Sequence, residues 1–150
     1  MIAFATAGAG FLLAVLWFDL MFDVQVLGQG DGELAQERLS SIAAYYARVT
    51  TAARPMNRLI TAVMLATLAA IVVEITDDGA VPAALAWVSL GLAAAPILLV
   101  GARTVPNAVR LGARGDASAR QSALARSIWR DHVFCLAAIA ALLALQLSCA

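Results

Sequence analysis

Four stretches of this chain run uncharged for long enough to approach the width of a bilayer, and no other property restricts its fold as tightly. The first, Ile2–Phe18, has seventeen residues and continues through Asp19 to Phe22. At about 1.5 Å per residue it reaches roughly 26 Å, close to the ~30 Å of a hydrocarbon core. The others are Leu59–Val73, Pro82–Ala102 and Val133–Cys149. Composition agrees: of 150 residues, 63% are hydrophobic and 13% charged, against about 25% charged in soluble domains. A single soluble core could not bury so much apolar surface. The expected fold is all-α. It is a single integral membrane domain, an antiparallel four-helix bundle with spans at about 2–22, 57–75, 82–102 and 132–149. No Arg precedes Arg38, so the first run lacks the basic leader of a secretion signal and reads as a retained span.

The connections are punctuated by turn formers. Gly28-Gln29-Gly30-Asp31-Gly32 breaks the first helix, and Asp31 is placed to cap the next. From Glu33 to about Ala53, Leu34, Ile42, Tyr45, Tyr46 and Val49 fall mostly at helical spacing, with Glu33, Glu37, Arg38 and Arg48 between them. This predicts an amphipathic cytoplasmic helical segment between spans one and two, lying on the membrane or extending the bundle. Pro55 suits a helix start. Thr76-Asp77-Asp78-Gly79 is a tight turn that makes spans two and three a hairpin. Pro96 can kink span three, whose helix extends to about Leu111. Asp116 is placed to cap a helix from Ala117 into span four. Ala62, Ala66 and Ala70, like Ala140 and Ala144, recur every fourth position and are expected to face neighbouring helices. Ala53-Arg54-Pro55-Met56-Asn57-Arg58-Leu59 faintly echoes Ala102-Arg103-Thr104-Val105-Pro106-Asn107.

Charge sets the expected orientation. The ten basic residues are all Arg, balanced by ten acidic residues. Every Arg lies in Arg38–Arg58 or Arg103–Arg130, the two connections on one face. The positive-inside rule puts both in the cytoplasm and both termini outside, as in a multi-pass protein of the plasma (inner) membrane. Glu74, near the outer boundary, is expected to reach water. Trp17, Trp87 and Trp129 are distributed like membrane aromatics. No basic domain exists apart from the spans, which disfavours nucleic acid as a partner. Cys135 and Cys149 share one run at a spacing that forbids an intrahelical disulfide and fits no redox or metal motif. Phosphate-loop, dinucleotide, nucleophile-elbow and zinc motifs are absent from the sequence. Neither a metal nor a cofactor is expected.

The candidate site is a polar cluster at the cytoplasmic end: Asp19, Asp23, Asn57, Arg58, Arg103, Asn107, Arg110, Trp129 and His132. Asp19 and Asp23 are four apart and share a helix face. Either they are helix-end carboxylates bonded to Arg58 or Arg103, or they bind a proton or substrate in a cytoplasm-facing cavity. Asn57 with Arg58, and Asn107 with Arg110, either lock the bundle interface or hold the polar group of a lipid-like ligand. His132 is the only histidine. A lone His excludes bis-His haem and multi-His metal sites within one chain. It is either bonded to a neighbouring acid or a base whose ordinary pKa near 6.5 suits proton transfer.

Val105-Pro106-Asn107, Trp129-Arg130-Asp131-His132 and the Leu/Ala-rich last helix resemble the anthrone oxygenase-like small membrane proteins. Asn57 after Pro55 is a looser match. The resemblance covers the last third and the overall span pattern. The Trp17-Phe18-Asp19-Leu20-Met21-Phe22-Asp23 stretch departs from it. It implies a cofactor-independent oxygenase-like fold whose polar cluster includes Asn57, Asn107, Trp129 and His132. Three functions follow as expectations. The first is an accessory or interaction protein, with the bilayer and a second copy or another membrane protein as partners. The second is a membrane oxidoreductase acting on a lipophilic aromatic compound. The third is a small proton-linked transporter using Asp19 and Asp23. A filled salt-bridge cap favours the first, and a ligand-sized cavity touching Asp19, Asn107 and His132 favours the others.

Overall fold

The computed structural model describes residues 1–28, 30, 32–77 and 81–149, and for Arg54 the backbone. Most of the described residues are helical and none lies in a strand. The helices are α1 (Ile2–Asp23), α2 (Gln36–Ala47), α3 (Arg54–Thr76), α4 (Ala83–Leu99), α5 (Val105–Ala113) and α6 (Ser118–Ser148). Two π-helical turns, Arg48–Ala52 and Val100–Thr104, lead into α3 and α5. The two prolines differ in setting. Ala53 leaves the helical region, so Pro55 stands in the first turn of α3. Pro106 follows its π turn in continuous helix, where its ring would strike the Ala102 carbonyl of a regular α turn.

Four helical segments are long and apolar enough to cross a membrane: Ile2–Val26, Pro55–Thr76, Ala83–Ala113 and Ser118–Ser148. They turn Phe4, Trp17, Leu65, Trp87, Leu98 and Leu147 outward. α1, α3, α4 and α6 form a closed ring in which α1 touches α3 and α6, and α4 touches α3 and α6. α1 and α4 therefore sit at opposite corners.

Two apolar cores result. One joins Ala5, Ala9 and Leu12 of α1 to Ile71, Ala93, Ile139 and Leu142. The other joins Leu39, Ile42, Ala43 and Tyr46 of α2 to Ala108, Leu111, Leu124 and Ile128. The α2 positions are spaced i, i+3, i+4, i+7, one helix face. At 31 residues, α6 runs through both cores, so its middle, around Asp131 and His132, lies where they meet. The connection before α2 is tied down by Arg38, which donates to the carbonyls of Gln25 (3.1 Å) and Leu27 (3.0 Å). The Ser122 hydroxyl accepts the Leu34 N–H at 3.0 Å.

Several sequence expectations change. Asp31, Asp78 and Gly79 lie outside the described residues, and with them the proposed cap and most of the tight turn. Asp116 does not cap α6. It accepts two hydrogen bonds from Arg110, at 2.7 and 2.6 Å. That pairing holds its carboxyl below the usual range. Glu74 is buried rather than hydrated. Gln146 Nε2 donates to it at 3.1 Å and to Ser89 at 3.2 Å.

Of the alanine stripe only Ala70 is buried, and Ala62, Ala66, Ala140 and Ala144 are exposed. Alanine is acceptable to lipid, so its recurrence does not identify a contact. Close approach occurs at glycines. A Cβ on Gly8 would collide with the Thr67 hydroxyl, and one on Gly112 would sit 2.7 Å from the Ala47 backbone nitrogen. Gly112→Ala should therefore lower stability in detergent by about 1–3 kcal/mol through overpacking. Ala66→Leu should stay within about 0.5 kcal/mol of the parent. Equal losses in thermal unfolding would contradict this packing.

Candidate functional site

Where the two cores meet, the helices line an open-sided cavity of about 500 Å³. That is within the ~300–1,000 Å³ of small-molecule sites. Most of its wall is apolar: Leu12, Val15, Leu16, Ile60, Met64, Ile97, Val100 and Ile139. Both π turns contribute, through Val49, Thr50, Val100 and Thr104. One end is polar, formed by Asp19, Tyr45, Tyr46 and His132.

The polar end is assembled from three helices. Asp19 and Asp23 lie one turn apart on α1, and each meets one tyrosine of α2. Tyr45 donates its hydroxyl to Asp19 Oδ1 at 2.5 Å, and Tyr46 donates to Asp23 Oδ1 at 2.6 Å. His132 of α6 closes the cluster, with Nδ1 2.6 Å from Asp23 Oδ2. That contact assigns the Nδ1 proton toward the carboxylate and leaves Nε2 for the cavity, the arrangement in which a carboxylate orients an imidazole. Asp23 and His132 are both buried. The rings pack too: Phe22 stacks on Tyr45 at 4.0 Å, and Tyr45 and Tyr46 meet edge to face at 5.3 Å.

Burial, and then the facing carboxylates, push both tyrosine hydroxyls above the usual phenol range. A raised folded pKa stabilises the fold below the phenol's unfolded pKa of about 10, and that contribution is lost as pH rises beyond it. Tyr45 and Tyr46 are the only tyrosines, so phenolate absorbance reports this site alone. Neither should ionise until alkali unfolds the protein. Reversible titration near pH 10 with the fold retained would refute the burial of these hydroxyls.

The sequence cluster divides in two. Asp19, Asp23 and His132 come together as one group. Asn57 lines the cavity and donates to the Thr50 carbonyl at 3.4 Å. Arg103 does not meet Asp19 or Asp23, because α4 and α1 occupy opposite corners. It pairs with Asp131 in a bidentate contact, Nε to Oδ2 at 3.0 Å and a second guanidinium nitrogen to Oδ1. Thr104 donates to the same Oδ2 at 3.0 Å. Arg58 is exposed at the start of α3. Asn107 is half-buried and is not among the residues lining the cavity. Arg110 pairs with Asp116, and Trp129 packs on the α2–α5–α6 core.

Scanned against protein-family models, curated proteins and solved structures, the chain finds no match in any of the three. The function must therefore be argued from the site.

Sequence reasoning missed Tyr45, Tyr46, Thr104 and Asp131, and the buried Glu74–Ser89–Gln146 group. The signals were present in part. Two carboxylates one turn apart require donors, and the chain's only two tyrosines stand side by side near the end of the next helix. Gln146 is likewise the one amide in an apolar run that ends level with Glu74.

Proposed function

We propose that this chain is a multi-pass protein of the plasma membrane that takes a lipophilic aromatic molecule into the cavity between its helices and exchanges a proton with it at the Asp19–Asp23–His132 end. The observation that carries the reading is the cavity itself, ligand-sized and largely apolar, with Asp19, Tyr45, Tyr46 and His132 in its wall. In it Asp23 and Tyr46 hold His132 from behind, so that Nε2 can accept or return a proton while Asp23 balances the imidazolium.

The same reading takes the four spans as an antiparallel bundle, with α2 as an amphipathic segment on the cytoplasmic side. Supporting this, neighbours in the ring contact one another end to opposite end. Gly8 in the first half of α1 meets Thr67 in the second half of α3. Along α6, Cys135 lies 4.0 Å from the Pro96 carbonyl late in α4, while the later Gln146 donates to Ser89 earlier in α4. The arginine distribution supports a cytoplasmic position for the polar end and external termini. A C-terminal alkaline phosphatase fusion should then be active.

Two chemistries fit a proton-exchanging cavity. One is the anthrone oxygenase-like reading, in which His132 deprotonates an acidic aromatic substrate. The other is proton-linked transport through Asp19. The Arg103–Asp131–Thr104 cap favours a second reading, an accessory protein whose polar cluster only holds the helices together. A further copy or another membrane protein would then be its partner.

The deciding experiment is extraction of protein purified in mild detergent, followed by mass spectrometry, with Val15→Trp as the filled-cavity control. A lipophilic compound should leave the parent and not the variant, with equal helicity in both. If neither releases anything beyond bulk lipid, and no lipophilic compound raises the melting temperature, the cavity reading fails.

A further inference from the structure

The direction of the hydrogen bonds around the cavity restricts what can bind in it. Tyr45 and Tyr46 direct their hydroxyl protons at Asp19 and Asp23, and the Nδ1 side of His132 faces Asp23. The lining threonines also point their protons at the protein. Thr50 donates to the Tyr46 carbonyl at 2.6 Å, Thr61 to the Asn57 carbonyl at 2.9 Å, and Thr104 to Asp131. One Asn57 amide hydrogen is engaged with the Thr50 carbonyl. A ligand's polar group therefore meets acceptors: hydroxyl lone pairs, the Asn57 carbonyl oxygen and, above all, Asp19, whose Oδ1 takes the Tyr45 proton.

Charge points the same way. Asp19 and Asp23 face a single imidazole, and among the described residues no guanidinium lines the cavity. Even with His132 positive, one carboxylate charge is left in a largely apolar chamber. Uncompensated buried charge is costly, so a proton or a cationic partner is favoured there. An anionic headgroup would add repulsion and find few donors. A neutral hydroxyl would supply one donor and no charge. An ammonium supplies both, and the rings of Tyr45 and Tyr46, which also line the cavity, add cation–π attraction.

Resting on the cavity reading above, we infer that the molecule held there is a lipophilic amine bound as its ammonium form, with Asp19 as its counter-ion. Ligand and proton then compete for one carboxylate, and binding should weaken as pH falls. The groups facing Asp19 in that competition are Asp23 on its own helix, Tyr45 and Tyr46 from α2, and His132 from α6.

Three probes on one skeleton test this: naphthylmethylamine, naphthylmethanol and naphthoate, titrated into the detergent-solubilised protein by calorimetry. A charge-assisted hydrogen bond should make the amine bind at least about tenfold tighter than the alcohol. Naphthoate should show no saturable binding, and the amine's affinity alone should fall at acid pH. Asp19→Asn should erase the amine's advantage, weakening the amine far more than the alcohol. If that variant does not fold, the amine-to-alcohol ratio in the parent protein decides. An alcohol or acid that binds as well as the amine would overturn the inference while leaving the cavity as a ligand site. Failure of all three probes to bind saturably would remove both.

Discussion

Arg103→Ala should lower the melting temperature in detergent more than any other single change at the helix ends, because it strands the buried Asp131 carboxylate. The asymmetry of the pair is the reason. The Asp131 side chain is fully buried, whereas the Arg103 side chain is 55% exposed. Without Arg103, a buried carboxylate keeps only the Thr104 hydroxyl. The reverse change strands little: in Asp131→Asn the guanidinium returns to water, and the amide oxygen can still accept from Thr104. That variant should lose about 1–2 kcal/mol. Combining Arg103→Met with Asp131→Leu should recover much of the loss, since an apolar pair of similar volume carries no desolvation cost. Unfolding of the four proteins in one detergent measures the order. If Asp131→Asn proves the more damaging, Asp131 does more than anchor the cap.

Asp23→Ala should be the second large effect, at about 2–6 kcal/mol. It leaves two buried donors without an acceptor, the Tyr46 hydroxyl and His132 Nδ1, and each such group costs about 1–3 kcal/mol. Asp19→Ala should cost less, because Asp19 is only partly buried and accepts one hydrogen bond from the protein. The two carboxylates look equivalent along the helix but differ in use. Asp23 holds the cluster together, and Asp19 is turned toward the cavity. Similar stability losses in the two variants would contradict that division.

The spans were legible because an uncharged run of bilayer length has few other places to go. Pro55 marked the start of α3 for the same local reason. Pairing within the polar cluster was not legible, since it depends on how each helix is rotated. Asp131 and His132 are adjacent in sequence, but one helical step turns them about 100° apart. One therefore faces Arg103 and Thr104, and the other faces Asp23. Distance along the membrane normal suggested that Asp19 or Asp23 would meet Arg103. The placement of α1 and α4 at opposite corners forbids it, and that is a property of the whole ring. The tyrosines were noticed as apolar positions on α2, and their hydroxyls became functional only once that face was docked on α1. The exposure of Ala62 and Ala66 shows the limit of a four-residue repeat where lipid and protein accept alanine equally.

Nitrogen NMR of the protein labelled in histidine tests the ligand-facing role of the polar end most directly, because His132 is the only histidine. Nδ1 should appear protonated and slowly exchanging, tied to Asp23. Saturation with naphthylmethylamine or naphthylmethanol should move the Nε2 resonance while the Nδ1 bond persists, and Val15→Trp should abolish the movement. A proton found on Nε2 with Nδ1 bare, or an Nε2 resonance that neither probe shifts at saturation, would contradict a ligand site at His132.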